Sequence, residues 1–544
     1  MHSSSRRSNQ VVSARAIALG AIAALLLASP LGADEPDTAP PPDVGPSTMT
    51  LERLVTAIRH AQGALAHGIA PTRREQWKIS FGALTGTLTY VQAGKNYRAN
   101  QTLGPDSRAW GFWGSRAWHM NANGQFAMDS GLHRSDAIDD AAVARRGAGV
   151  TLLGRVAQPV EAYVVRVDPP DGRLQYRFYD AATFRLDRVE EIRDGRRLTL
   201  TFDDYRATDG LVEPWHVHTT DGFPTNDGDR VLFALELGSA VAPAEIAIPP
   251  DRPGLIPAAS LPAQIPATLS GDAFVVPVKL GAYTLNCIFD SGADGVVIDS
   301  AVIAALGLKS YGRITSETAG TYVESDVVIP TMSIGSITLN EVHARSLPFT
   351  QWTETGKPIA GLLGYDLIRG AVWHLDYAHG TLEALPSATF TPPTQAHALA
   401  VTFDDDVPTI DLTIDGLAAP AFVLDTGADR STIFSGYTNA HPTELRDRGL
   451  GEAMNDAFPF INDFSGVGGT VDYRPLQAGP LVVSGWSFPQ WLFEVTQNDA
   501  SFELEDYDGL IGQDFLRNFD VYLDYPHSKV YLVPNDRFRE RWGG

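Results

Sequence analysis

Cysteine is almost absent: Cys287 is the single one in 544 residues, which excludes an internal disulfide and any cysteine-based zinc site. It lies in an apolar stretch leading to Asp290, where a small buried side chain is expected. Positive charge is also short. Against 42 Lys and Arg stand 65 Asp and Glu, a formal net charge of −23, and like charge repels both nucleic acid and anionic membrane surfaces. A bilayer-spanning run is missing too. The apolar stretch Ala16 to Ala28 is too short to cross comfortably; with Arg6, Arg7 and Arg15 before it and Pro30 and Leu31-Gly32-Ala33 after it, it reads as a signal peptide over 1–33, cleaved before Asp34. No cysteine at that point offers a lipid attachment. The expectation is an exported protein, periplasmic or secreted, with no stable transmembrane segment in the mature chain. His216 and His218 alternate along one strand with no third ligand, so no metal is expected, and nothing indicates an organic cofactor.

What is present describes globular protein: 44% hydrophobic and 20% charged residues, in a chain long enough for three or four cores. Residues 34–48 form a proline-rich linker. Residues 49–244 open with apolar positions at helical spacing from Leu51 to His67 and continue in strands that alternate apolar with polar, turning at Asp171-Gly172 and Asp194-Gly195. The pattern predicts a β-rich half-barrel with one main helix. Residues 245–268 hold six prolines and no period, and read as a second linker.

The remainder repeats itself. Cys287-Ile288-Phe289-Asp290-Ser291-Gly292-Ala293-Asp294 is followed 135 positions later by Phe422-Val423-Leu424-Asp425-Thr426-Gly427-Ala428-Asp429. In each, an apolar strand delivers a carboxylate to a turn. The hydroxyl beside it can bond across to a partner loop, and the glycine lets backbone approach closely. Two such turns face to face would set two carboxylates against one water. Each copy carries a second signature further on, Ala360-Gly361-Leu362-Leu363-Gly364 and Asp508-Gly509-Leu510-Ile511-Gly512. There the branched residues fill the core behind the Asp turn and Gly364 or Gly512 permits a close crossing. Closing strands follow at Val372–Tyr377 and Val521–Tyr525. The copies divide as 269–390 and 391–540, and the second carries a long polar insert over 436–462.

These elements, twice and in one order, resemble retropepsin-type aspartic proteases, more narrowly exported bacterial proteins with two such halves fused. The resemblance implies a mainly β fold, with tandem retropepsin-like lobes forming a pseudo-dimer within a monomer. It implies an aspartic endopeptidase acting on peptide or protein substrates without a cofactor. Asp290 and Asp425 match the catalytic aspartates. Ser291 and Thr426, with Gly292 and Gly427, match the residues that support the loops. Asp294 and Asp429 match an acidic loop or specificity position. Mobile flaps would come from 318–325, with Gly320 and Tyr322, and from 464–471, with Gly466, Gly468 and Gly469. A peptide-binding protein using the same cleft without turnover is the alternative. The N-terminal region resembles the lipoprotein-carrier half-barrel through Phe202-Asp203-Asp204-Tyr205-Arg206, Asp209-Gly210-Leu211 and Pro214-Trp215-His216-Val217, which implies at most an apolar groove.

Overall fold

The structure is a computed structural model describing residues 42–543 apart from 64–71, 132–133, 135–136, 138–148, 169–172, 194–195, 251–253, 318–320, 350–352, 355–356, 405, 446–462, 467–468 and 497–506. The expected signal peptide, its cleavage point and the two Asp-Gly turns lie outside the described residues. Contacts divide the chain into two units, one built on 42–121 and 126–250, the other on 254–543 together with the loop 122–125.

The first unit is a curled antiparallel sheet of thirteen strands, a half-barrel. Strands pair with their sequence neighbours except Phe126–Met128 and Gly149–Val156, which are the two edges, and the sheet is joined up where its first strand, Thr72–Phe81, also pairs with its last, Gly228–Leu237. On that first strand Trp77, Ile79 and Phe81 are buried while Lys78 is exposed, the period of two that a one-sided sheet requires. The helix Leu51–Ala61 buries Leu54, Val55 and Ile58. Thr50 begins it by accepting the Arg53 amide through its side chain, and Arg59 and His60 lie in the last turn, where the helix dipole favours positive charge. The helical spacing extended to His67, and residues 64–67 are outside the described set. His216 and His218 are tied to acids: Asp229 Oδ1 lies 3.0 Å from both rings, and Asp203 lies 2.9 Å from His216.

The second unit holds the repeat as two lobes with the same strand pairings. Tyr283–Phe289 runs parallel to Gly361–Leu363, with Phe289 opposite Leu363; Leu417–Leu424 runs parallel to Gly509–Ile511, with Leu424 opposite Ile511. The strand after each Asp turn, Val296–Asp299 or Thr432–Ile433, lies antiparallel on the other side of Gly361–Leu363 or Gly509–Ile511. Between the lobes lies a six-stranded sheet to which both contribute: Val372–Asp376 and Thr381–Leu385 from the first, Phe519–Asp524, Lys529–Pro534 and His397–Ala400 from the second. Its seam pairs Trp373 with Leu523 and Leu375 with Val521. Beneath it Phe403 meets Tyr365 of the first lobe at 5.3 Å and Tyr525 of the second at 5.0 Å, both edge to face. In the stretch read as a linker, Ala263–Ile265 forms an edge strand of this sheet, because Ala263 and Ile265 are buried while Gln264 points out.

Candidate active site

Each Asp turn is set by the strand beneath it. The Asp290 amide donates to Leu363 O and the Asp425 amide to Ile511 O, both at 3.0 Å. Gly364 and Gly512 follow those carbonyls directly. A Cβ at Gly364 would stand 2.3 Å from Ala293 O and one at Gly512 2.6 Å from Arg430 O, so no larger residue fits under the turns.

The turns meet through their hydroxyls. Ser291 Oγ donates to Leu424 O at 2.7 Å and accepts the Thr426 amide at 2.9 Å; Thr426 Oγ1 donates to Phe289 O and accepts the Ser291 amide, both at 2.9 Å. These four bonds cross between lobes and are wholly buried. They bring Asp290 and Asp425 together, with each glycine under the opposite carboxylate. A Cβ at Gly292 would lie 2.5 Å from Asp425 Cγ, and one at Gly427 2.6 Å from Asp290 Cγ. The glycine amides turn back to their own acids: Gly292 N donates to Asp290 Oδ1 at 3.0 Å, Gly427 N to Asp425 Oδ1 at 2.8 Å, and Ala428 N also reaches Asp425 Oδ1 at 3.1 Å.

Burial and then the adjoining Asp425 carboxylate hold Asp290 well above the usual carboxylate range, and burial raises Asp425 as well. Two carboxyls so placed retain one proton into the range where a lone, solvated acid has lost it. Cys287, in the strand before Asp290, is fully buried, and burial pushes its thiol up, out of the thiolate range.

Two further acids belong to the site's frame. Asp366 and Asp514 stand two residues after Gly364 and Gly512. Asp366 accepts the Val296 amide at 3.3 Å; Asp514 accepts Ser431 Oγ at 2.7 Å and Trp491 Nε1 at 3.2 Å. Burial lifts Asp366 to about 7 and Asp514 to about 6. The sequence reading gave them no role, although a Gly-x-Asp spacing in both copies was there to be seen.

The flap candidates fare unevenly. Gly320 and Gly468 lie outside the described residues. Gly466 and Gly469 pair at the end of the hairpin Asp463–Gly466 and Gly469–Ala478. Tyr322 is on the corresponding first-lobe hairpin, yet its ring is buried in the core with Ala293 and Val297. Asp294 is buried against Arg345, whereas Asp429 is exposed.

Residues 276–367 match the family model described as aspartyl protease. The first lobe therefore carries an aspartyl protease-type domain, and Asp290 and Gly364 both fall within it. No curated protein matches the chain. Among solved structures, a DUF1329 family protein from Desulfovibrio piger is 13% identical over 36% of this chain and 97% of its own, with a TM-score of 0.28. A LolA superfamily protein from Nitrosomonas europaea is 13% identical over 36% and 97%, TM-score 0.27. Basic 7S globulin from soybean is 10% identical over 51% and 95%, TM-score 0.31. At these scores the likenesses carry no functional weight. No described helix is long and apolar enough to cross a membrane.

Proposed function

We propose that this protein is an aspartic endopeptidase in which Asp290 and Asp425, one from each lobe, activate a water on a peptide carbonyl. The observation that carries this reading is the buried carboxyl pair held between reciprocal Ser291 and Thr426 hydrogen bonds. Like charges at such separation do not both ionise, so one acid stays protonated and the other serves as base. Asp425 collects two backbone amides, Gly427 and Ala428, which favour its ionised form; the proton then resides mainly on Asp290, although the titration belongs to the pair.

In this reaction Asp425 takes a proton from the water as its oxygen attacks the scissile carbon, while Asp290 gives its proton to the carbonyl oxygen. A neutral tetrahedral gem-diol results, with no covalent bond to the enzyme. In breakdown Asp425 gives its proton to the amine nitrogen as the C–N bond breaks, while a gem-diol hydroxyl returns a proton to Asp290, which restores the starting pair. The Gly292 and Gly427 amides hold the carboxylates against rotation. The basic leader with its apolar run supports export to the periplasm or medium, and the sheet built from both lobes supports a dyad assembled within one chain.

The test is cleavage of a peptide library by the purified mature protein across roughly pH 3 to 8, the span in which a shared-proton pair titrates, beside Asp290→Asn and Asp425→Asn. Cleavage lost in either variant is the expected result. Binding of extended peptides without cleavage, unchanged in both variants, would replace the enzyme by the peptide-binding alternative.

A further inference from the structure

The acids that follow the two Asp-Ser/Thr-Gly-Ala turns sit at equivalent places but face opposite chemistry. In the first lobe Val297 is the register partner of Arg345, in the second Thr432 is the partner of Glu494, so Arg345 and Glu494 are structural counterparts. Arg345 forms a buried ion pair with Asp294, and its other terminal nitrogen lies 3.6 Å from Glu324 Oε2. Glu324 is on the hairpin strand Thr321–Ile334, where its Oε1 accepts Ser316 Oγ at 2.7 Å from the companion strand Ser310–Glu317. All four side chains are buried, Glu324 to 1% exposure and Ser316 to 0%. A continuous polar connection thus runs from both strands of the hairpin, through Arg345, to the loop that carries Asp290.

The second lobe has the same backbone and other side chains. Asp326 pairs with Arg345 and Pro475 with Glu494, so Glu324, two residues before Asp326, corresponds to Tyr473. Tyr473 is buried among Val423, Ala428 and Phe434. Burial, and after it the nearby Asp429 carboxylate, raise Glu494 to about 7 against the opposing pull of Arg430. Neither residue can take the part that a guanidinium between two carboxylates plays.

Resting on the peptidase reading, we infer that Arg345 is a positioning residue: through Asp294 and Glu324 it fixes the first-lobe hairpin to the Asp290 loop. That makes the first lobe the stiff wall of the cleft and the second, with Glu494 and Tyr473, the compliant one. A guanidinium suits the task because its rigid fork serves two carboxylates at once, and a buried charge held on both sides resists displacement.

Hydrogen exchange on the full chain tests the tie directly. The strand 324–328 should exchange at least about tenfold more slowly than its counterpart 473–477. Arg345→Met alone leaves two buried acids together and can fail to fold, so the neutral variant D294N/E324Q/R345M is measured beside it. That variant should bring the two strands to within about threefold of each other. Glu494→Arg, which sets a cation beside Asp429, should slow the second strand. In peptide cleavage, kcat per active site, counted by titration with a statine-type transition-state mimic, should fall at least about tenfold in the neutral variant, with KM nearly unchanged, since the tie holds a loop and no substrate. A merely structural Arg345 would lower the number of active sites and leave kcat per site alone. Equal exchange of the two wild-type strands, or an unchanged kcat per site in the neutral variant, would overturn the inference. A wild type that keeps the exchange contrast but cleaves nothing would instead overturn the proposed peptidase and leave the tie standing.

Discussion

The two lobes agree at their centre and part company one residue layer out. Both aspartate amides bond the strand below at 3.0 Å, both hydroxyls accept the opposite amide at 2.9 Å, and both glycines lie under the opposing carboxylate. Around that centre, Asp366 and Asp514 each hold a backbone amide, of Val296 and Ser431, but Asp514 adds the Ser431 hydroxyl and the Trp491 indole where Asp366 takes the Asn123 side chain, and Arg345 stands where the second lobe has Glu494. Where two copies must meet at one point, each is the other's packing surface, so a change in either disturbs both. A side chain that touches only its own lobe is under no such constraint.

Breaking the centre should cost the most, and equally from either side. Asp290→Asn and Asp425→Asn should each lower kcat by at least about a thousandfold, the scale of acid–base catalysis lost at the reacting atoms, read in a peptide assay with the fold checked by circular dichroism. A much milder effect from one of them would mean that the lobes do not share the work. Removing a crossing hydroxyl should come next. Thr426→Val or Ser291→Ala leaves one buried amide and one buried carbonyl unpaired, and should destabilise the lobes by about 4 kcal/mol in urea unfolding; near-equal values would extend the symmetry from geometry to energy.

The frame acids should then separate the lobes by pH. Burial raises Asp514 to about 6, so its favourable protonated state is fully present below about pH 4 and is lost as pH rises through about 6. Asp514→Asn should match the wild type near pH 4 and exceed it by up to about 3 kcal/mol at pH 8. The corresponding loss for Asp366, lifted to about 7, should extend about one unit further. Thermal unfolding from pH 4 to 8 distinguishes the two. The smallest effect lies outside the lobes: Thr50→Ala removes the helix cap and should cost the N-terminal unit about 1 kcal/mol, leaving the unfolding of the lobes unaltered.

Much of this was legible in the sequence wherever the signal is local. Strand alternation gave the β-rich class, and the repeated Asp-Ser/Thr-Gly-Ala turns announced two loops able to bond across, since hydroxyl, glycine and carboxylate sit within three residues. The nonlocal part was not legible. Arg345 lies 51 positions from Asp294, and nothing in Val342-His343-Ala344-Arg345-Ser346 marks it as the partner of a turn. The glycine and polar residues around Tyr322 suit a flap, but its ring packs inward with Ala293. The six prolines of 245–268 hid the strand Ala263–Ile265, because three residues are too few to set a visible period.

The six-stranded sheet has a consequence for concentration. Were the two lobes separate molecules, each carboxyl would arrive alone and dilution would dissolve the site. Here Val372–Asp376 and Phe519–Asp524 are neighbours in one hydrogen-bonded sheet, joined by continuous chain. The second aspartate is therefore supplied at an effective concentration fixed by the tether and the seam. Activity per molecule should stay constant down to the most dilute solution in which it can be measured.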